Sequence, residues 1–178
     1  PRFRNVDSEE GGRIIAKDLS AFRARRDALD WSDIAWLRTI WPHKLLVKGV
    51  LVAEDARLAL QHGVDGVVVS NHGGRQLDGA QAAIDALPEI VDAVGGKMAV
   101  LFDSGVRRGA DIVKALALGA DFVFFGRATL YGAAAGGEAG VARALELLKS
   151  ETDRVMALIG CDRVADLGRE YLERPDSL

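Results

Sequence analysis

The chain has 178 residues, with 23 Lys+Arg against 26 Asp+Glu for a net charge of −3, and 49% of it is hydrophobic. That balance argues against a dedicated nucleic-acid binder, which is normally basic, and the apolar share is enough for a packed core rather than a disordered chain. The single cysteine, Cys161, excludes an intrachain disulfide framework and suits a reducing compartment.

Residues 1–30 mix both signs of charge with little apolar periodicity, which predicts a surface loop. A helix is predicted over Trp31–Trp41, capped by Asp30 or Ser32. Four short apolar runs follow: Lys44–Lys48, Gly66–Ser70, Met98–Phe102 and Phe122–Gly126. Each has strand length and is rich in β-branched or aromatic residues. Helical periodicity fills the spaces over Glu54–Gln61, Gln81–Val94 and Ala110–Leu118. A longer helix over Glu138–Ile159 stops at Gly160. Nearly continuous apolar strands alternating with helices predict an α/β fold with a parallel sheet and right-handed crossovers. Two architectures fit four such units: an open sheet, or half of a (β/α)₈ barrel, whose full form takes ~250 residues. The half-barrel would carry two uncovered apolar edges.

Ligands of parallel α/β folds bind beyond the carboxyl ends of the strands. Each run here ends in polar groups beside glycine, and 20 of the residues are glycine, about 11% against a usual ~7%. The first run ends Val47-Lys48-Gly49. Lys48 shares a strand face with Leu46, and an inward Lys there is costly unless it meets an anion. The second ends Ser70-Asn71-His72-Gly73-Gly74-Arg75-Gln76-Leu77-Asp78. His72 suits a general base, and Arg75 suits a two-point grip on a carboxylate. The pair suggests proton abstraction beside a bound carboxylate. The third and fourth ends, Asp103-Ser104-Gly105-Val106-Arg107-Arg108-Gly109 and Gly126-Arg127, suggest a phosphate site. Glycines let amides approach an anion, two helix N-termini aim positive dipole at it, and Arg107 and Arg127 add charge. His43 precedes the first strand, at the opposite end of the sheet, and His62 sits near a helix C-terminus. Cys161 reads as structural, Trp31, Trp36 and Trp41 as helix packing, and Asp78 as a loop residue without a catalytic role. No metal site is expected.

These strings resemble the FMN-dependent α-hydroxy acid dehydrogenase/oxidase family. Trp41–Gly49 is most similar to its mandelate and L-lactate dehydrogenase branch, and the resemblance runs from about Trp31 to Leu172. It implies the carboxyl-terminal half, strands five to eight, of a (β/α)₈ TIM barrel. Residues 1–30 would be the charged loop after strand four, and residues 31–178 the barrel half. The implied cofactor is FMN. Lys48 would lie by the flavin N1/O2 edge and stabilise the anionic reduced ring, and Ser70 would contact the flavin. His72 would be the base and touch substrate, and Arg75 would bind the substrate carboxylate. Asp103, Ser104, Gly105, Val106 and Arg107 would contact FMN, with Gly105 and Arg107 near its phosphate. Gly126 and Arg127 would complete the phosphate site. The implied reaction oxidises an (S)-2-hydroxy acid, mandelate- or lactate-like, to the 2-oxo acid. His72 takes the proton as two electrons pass to the flavin, as hydride or through a carbanion.

The chain is accordingly expected to be the carboxyl-terminal piece of a larger polypeptide, or to pair with the amino-terminal half as a second chain. A homo-oligomer, a small 2-hydroxy acid substrate and no nucleic-acid partner are expected. The longest uncharged stretch, Ala128–Gly137, is about ten residues, far below the ~20 of a membrane span. No signal-peptide pattern opens the chain, so the expected location is the cytoplasm, with peripheral membrane association left open. Two rival readings are another FMN- or phosphate-binding barrel enzyme, and a cofactor-less half-barrel acting as an assembly partner. His72 with Arg75 argues against the first, because phosphate binding needs neither.

Overall fold

The computed structural model describes residues 28–173. The predicted charged loop, apart from its last three residues, and residues 174–178 lie outside the described residues. Helix α1, Trp31–Ile40, starts where Asp30 accepts the Ser32 N–H at 2.7 Å and Asp33 accepts the Asp30 N–H at 2.8 Å. This reciprocal cap selects Asp30 over Ser32. Strands β1 (Leu46–Val50), β2 (Gly66–Val69), β3 (Ala99–Phe102) and β4 (Phe122–Val123) form one parallel sheet in that order. Helices α2 (Ala53–Gln61), α3 (Ala83–Val94) and α4 (Gly109–Ala117) connect them. This is the predicted α/β alternation, with shifted ends. β1 starts two residues later than expected, and β4 stops early because only Phe122 and Val123 pair with β3.

Side chains alternate across the sheet. Val67, Val69, Val100 and Phe102 pack with Ala56, Ala59, Leu87, Ile90 and Val94 into the main core. The helical residues of that core, Leu87, Ile90 and Val94, recur at the spacing of one helix face. The other face of the sheet carries Leu46, Lys48, Ser70, Leu101, Asp103, Phe122 and Phe124. It is open among the described residues: Leu46 is 44% exposed, Phe122 55% and Phe124 42%. In an unbroken β1, Lys48 and Val50 would share a face. Gly49, at φ +101°, makes a bulge instead, so that Lys48 pairs with Val68 but Val50 pairs with Val69. Val50 therefore enters the core while Lys48 stays on the open face.

Helix α5, Arg127–Ile159, starts eleven residues before the predicted Glu138. It breaks at Gly136 and Gly137, where φ of Gly137 is +58°, so residues 127–135 and 138–159 are two arms of a hairpin. The arms cross at Gly132 and Gly140, where a side chain on either residue would strike the other's backbone. The tryptophans do not all pack as expected. Trp31 stacks on His62 with ring centroids 5.5 Å apart, but Trp36 and Trp41 are exposed. At the amino end of the sheet, Asp65 accepts from Lys44 Nζ at 2.7 Å, Arg38 Nη1 at 2.9 Å and the Leu45 N–H at 2.9 Å. That cluster ties α1 to the start of β1. Cys161 is buried against Val113 and Met156, the structural place expected of it.

Candidate active site

At the carboxyl ends of the strands lies a cleft of about 710 Å³, within the size range of small-molecule sites. Lys48, His72, Arg75, Asp103, Ser104, Gly105, Val106, Arg107, Gly126 and Arg127 all line it. Ser70 is the one candidate beneath the wall rather than in it, at 1% exposed.

β1 and β3 bring Lys48 and Asp103 together across β2, Nζ to Oδ2 at 2.9 Å. Lys48 Nζ also donates to Ser70 Oγ at 2.7 Å. An ammonium at a strand end is thus held by a carboxylate and a hydroxyl and kept facing the cleft. Burial pushes the Asp103 carboxyl up, but hydrogen bonds from Ser70, Lys48 and Ser104 outweigh it and hold the pKa below its ordinary value.

His72 opens a single 3₁₀ turn, His72–Gly74, after β2. Its φ is +57°, followed by +68° at Gly73 and +72° at Gly74, so three residues in a row are left-handed. Two glycines make that path accessible; His72 adopts it against its own preference. The His72 N–H donates to Ser70 Oγ at 3.0 Å, and the Gly74 N–H donates to Asn71 Oδ1 at 3.2 Å. The imidazole and the Arg75 guanidinium are left exposed at the cleft.

The anion-binding expectation needs one correction. The N–H groups of Arg107 and Arg108 both donate to Asp111 Oδ2 at 2.9 Å, and the Gly109 N–H donates to Glu151 Oε2 at 2.9 Å. The N-terminus of α4 is therefore already capped from within the chain. Helix α5 is different. Its first helical bond is Leu130 N–H to Gly126 O at 3.0 Å, so the amides of residues 127–129 have no helical acceptor. Arg127 and Ala128 stand in the cleft wall. Arg127 also reaches the His72 turn, its Nη2 donating to Gly73 O at 3.2 Å.

The cleft thus combines Lys48, Arg107 and Arg127 with one free helix N-terminus and an apolar wall of Val106, Phe125 and Tyr131. That donor set suits a flat ring joined to a phosphate, so the residues fit FMN. Phe125, Ala128 and Tyr131 are lining residues that the sequence reading missed. Tyr131 follows Arg127 by four residues on one helix face, a signal hidden because that stretch carried no apolar periodicity.

The model of the FMN-dependent dehydrogenase family matches residues 6–174, and the chain belongs to that family. It is 53% identical over 145 residues to L-lactate oxidase from Nostoc sp., covering 82% of this chain and 40% of that protein. It is 49% identical over 173 residues to (S)-mandelate dehydrogenase from Pseudomonas putida, covering 97% of this chain and 44% of that protein. The crystal structure of the monotopic membrane protein (S)-mandelate dehydrogenase superposes with a TM-score of 0.82 at 52% identity. That match covers 87% of this chain and 42% of the other. The chain spans less than half the length of these relatives. Among the described residues, no helix is long and apolar enough to cross a membrane.

Proposed function

We propose that this chain is the carboxyl-terminal half, strands five to eight, of an FMN-binding (β/α)₈ barrel. The barrel oxidises an (S)-2-hydroxy acid, lactate- or mandelate-like, to the 2-oxo acid. The observation that carries the reading is the convergence of His72, Arg75 and Lys48 on a cleft that also holds Arg107, Arg127 and the free end of α5. The similarity to L-lactate oxidase and (S)-mandelate dehydrogenase supplies the substrate class. Residues 1–30 are then the segment joining the two halves, and the open sheet face is the surface that the other half covers. Cys161, a free and buried thiol, suits a cytoplasmic setting.

When bound, FMN would supply the two-electron acceptor. Arg75 grips the substrate carboxylate through its planar fork and fixes the hydroxyl-bearing carbon towards His72. A ring nitrogen of His72 takes the substrate proton. Lys48, steadied by Ser70 and Asp103, offers a positive charge where negative charge develops in the cleft. Arg107, Arg127 and the first amides of α5 hold the phosphate.

The test uses the complete protein loaded with FMN. Under anaerobic conditions, L-lactate or (S)-mandelate should bleach the flavin absorbance. His72→Ala should retain FMN but reduce it about 10²- to 10⁴-fold more slowly, the usual worth of a positioned base. Parent-rate bleaching in the variant would remove His72 from the mechanism. A parent protein that takes up no flavin would remove the function itself.

A further inference from the structure

The hydroxyl of Ser104 is fully used within the chain. It donates to Asp103 Oδ1 at 2.8 Å, and it accepts the N–H groups of Asn71 at 3.2 Å and Gly73 at 3.1 Å. A serine hydroxyl has one proton and two lone pairs, so these three bonds exhaust it. The backbone of Ser104 is also out of place for its type, at φ +86°, where a glycine would sit without strain. A strained serine with a saturated hydroxyl is poorly made for touching a ligand and well made for holding something.

What it holds is the turn that carries His72. Each amide from Asn71 to Gly74 ends on a side-chain oxygen: Asn71 and Gly73 on Ser104, His72 on Ser70, and Gly74 on Asn71. The turn's own backbone contributes a bond from the Gly74 N–H to Asn71 O at 3.1 Å, and the serine hydroxyls hold the amides of Asn71, His72 and Gly73. The ionised Asp103 accepts the Ser104 proton and thereby turns the oxygen lone pairs towards the two amides. Asp103 is itself anchored, its own N–H donating to Val69 O at 3.1 Å.

We propose that Ser104 is a positioning residue: its hydroxyl, aimed by Asp103, clamps the His72 turn onto the end of β3, in place of the FMN contact that the resemblance implied for it. The consequence for turnover rests on the function proposed above; the clamp itself does not.

The test compares Ser104→Gly, which removes the hydroxyl and relieves the backbone, with Ser104→Ala, which removes the hydroxyl only. Hydrogen exchange resolved to single amides is measured on the complete protein. In both variants the amides of Asn71 and Gly73 should exchange at least about tenfold faster, while α3 is unchanged. Flavin content should match the parent. With L-lactate or (S)-mandelate, kcat should fall about 10- to 100-fold through misplacement of His72, with KM within about twofold of the parent. Unchanged exchange at Asn71 and Gly73 in Ser104→Gly would overturn the clamp. Loss of flavin with an unchanged rate per bound flavin would also overturn it, in favour of a cofactor contact. If the parent binds no flavin, the proposed function fails and the exchange measurement still decides the clamp.

Discussion

Lys48 and Asp103 come from strands separated by β2 and meet at 2.9 Å at the floor of the cleft. Each would be costly alone at a strand end, and together with Ser70 and Ser104 they satisfy one another. Because the folded pKa of Asp103 is depressed, its contribution to stability is fully present above the unfolded carboxyl value of ~3.9. It is lost as pH falls through the folded value. Asp103→Asn keeps an oxygen for Ser104 but removes the charge opposite Lys48. At pH 7 it should cost about 1.5–3 kcal/mol, the worth of a hydrogen bond to a charged group. Chemical denaturation of parent and variant from pH 7 to 3 should show the gap narrowing once pH drops below about 4. A gap that stays constant across that range would mean the charge contributes nothing.

The junction of α4 and α5 depends on a residue with no side chain. A Cβ at Gly109 would run into the backbone of Glu151 and Thr152. Glu151 binds the Gly109 N–H at 2.9 Å and the Arg108 guanidinium at 2.7 Å. The Gly109 N–H first, and then Arg108, hold the Glu151 carboxyl below its ordinary value in spite of burial. This contact sets where the second arm of α5 lies, and it also uses up the end of α4. Gly109→Ala should therefore overpack a site that cannot relax, at a cost of about 3 kcal/mol. Calorimetry on the complete protein, more than twice the length of this chain, should then show Tm lowered by roughly 3–5 °C. A shift under 1 °C would show that the two helices part without penalty.

At the scale of the whole molecule, the sheet is covered on one face and, among the described residues, open on the other. Leu46, Leu101, Phe122 and Phe124 stand on that face, beside the outer edges of β1 and β4, which pair with no strand among the described residues. Soluble proteins seldom leave such a surface to water. The 178-residue chain prepared alone should bind a hydrophobic dye such as ANS and associate with rising concentration. The complete protein should leave the dye dark and keep one defined assembly size over the same concentrations. A dye-silent monomer with a sharp unfolding transition would sink the half-barrel proposal.

The strands, their order of alternation with helices and the residues beyond each strand end were legible in the chain itself. Their signals are local: strand-length apolar runs, helical spacing, and glycines where the backbone turns. His72 with Arg75, Lys48, and the two glycine-arginine strings could be picked out for the same reason. The tertiary structure decided what depends on distant partners. Gly49 bulges, and so sends Val50 into the core. Glu151 lies 42 residues from Gly109 in sequence and yet caps α4, which leaves α5 rather than α4 to offer amides to an anion in the cleft. Tyr131 joins the cleft because α5 begins at Arg127, inside an alanine- and glycine-rich stretch without periodicity. Ser104 gives its hydroxyl to a turn more than thirty residues earlier in the chain. A hydrogen bond between strand ends is chosen by the geometry of the whole sheet, and no short stretch of sequence records that choice.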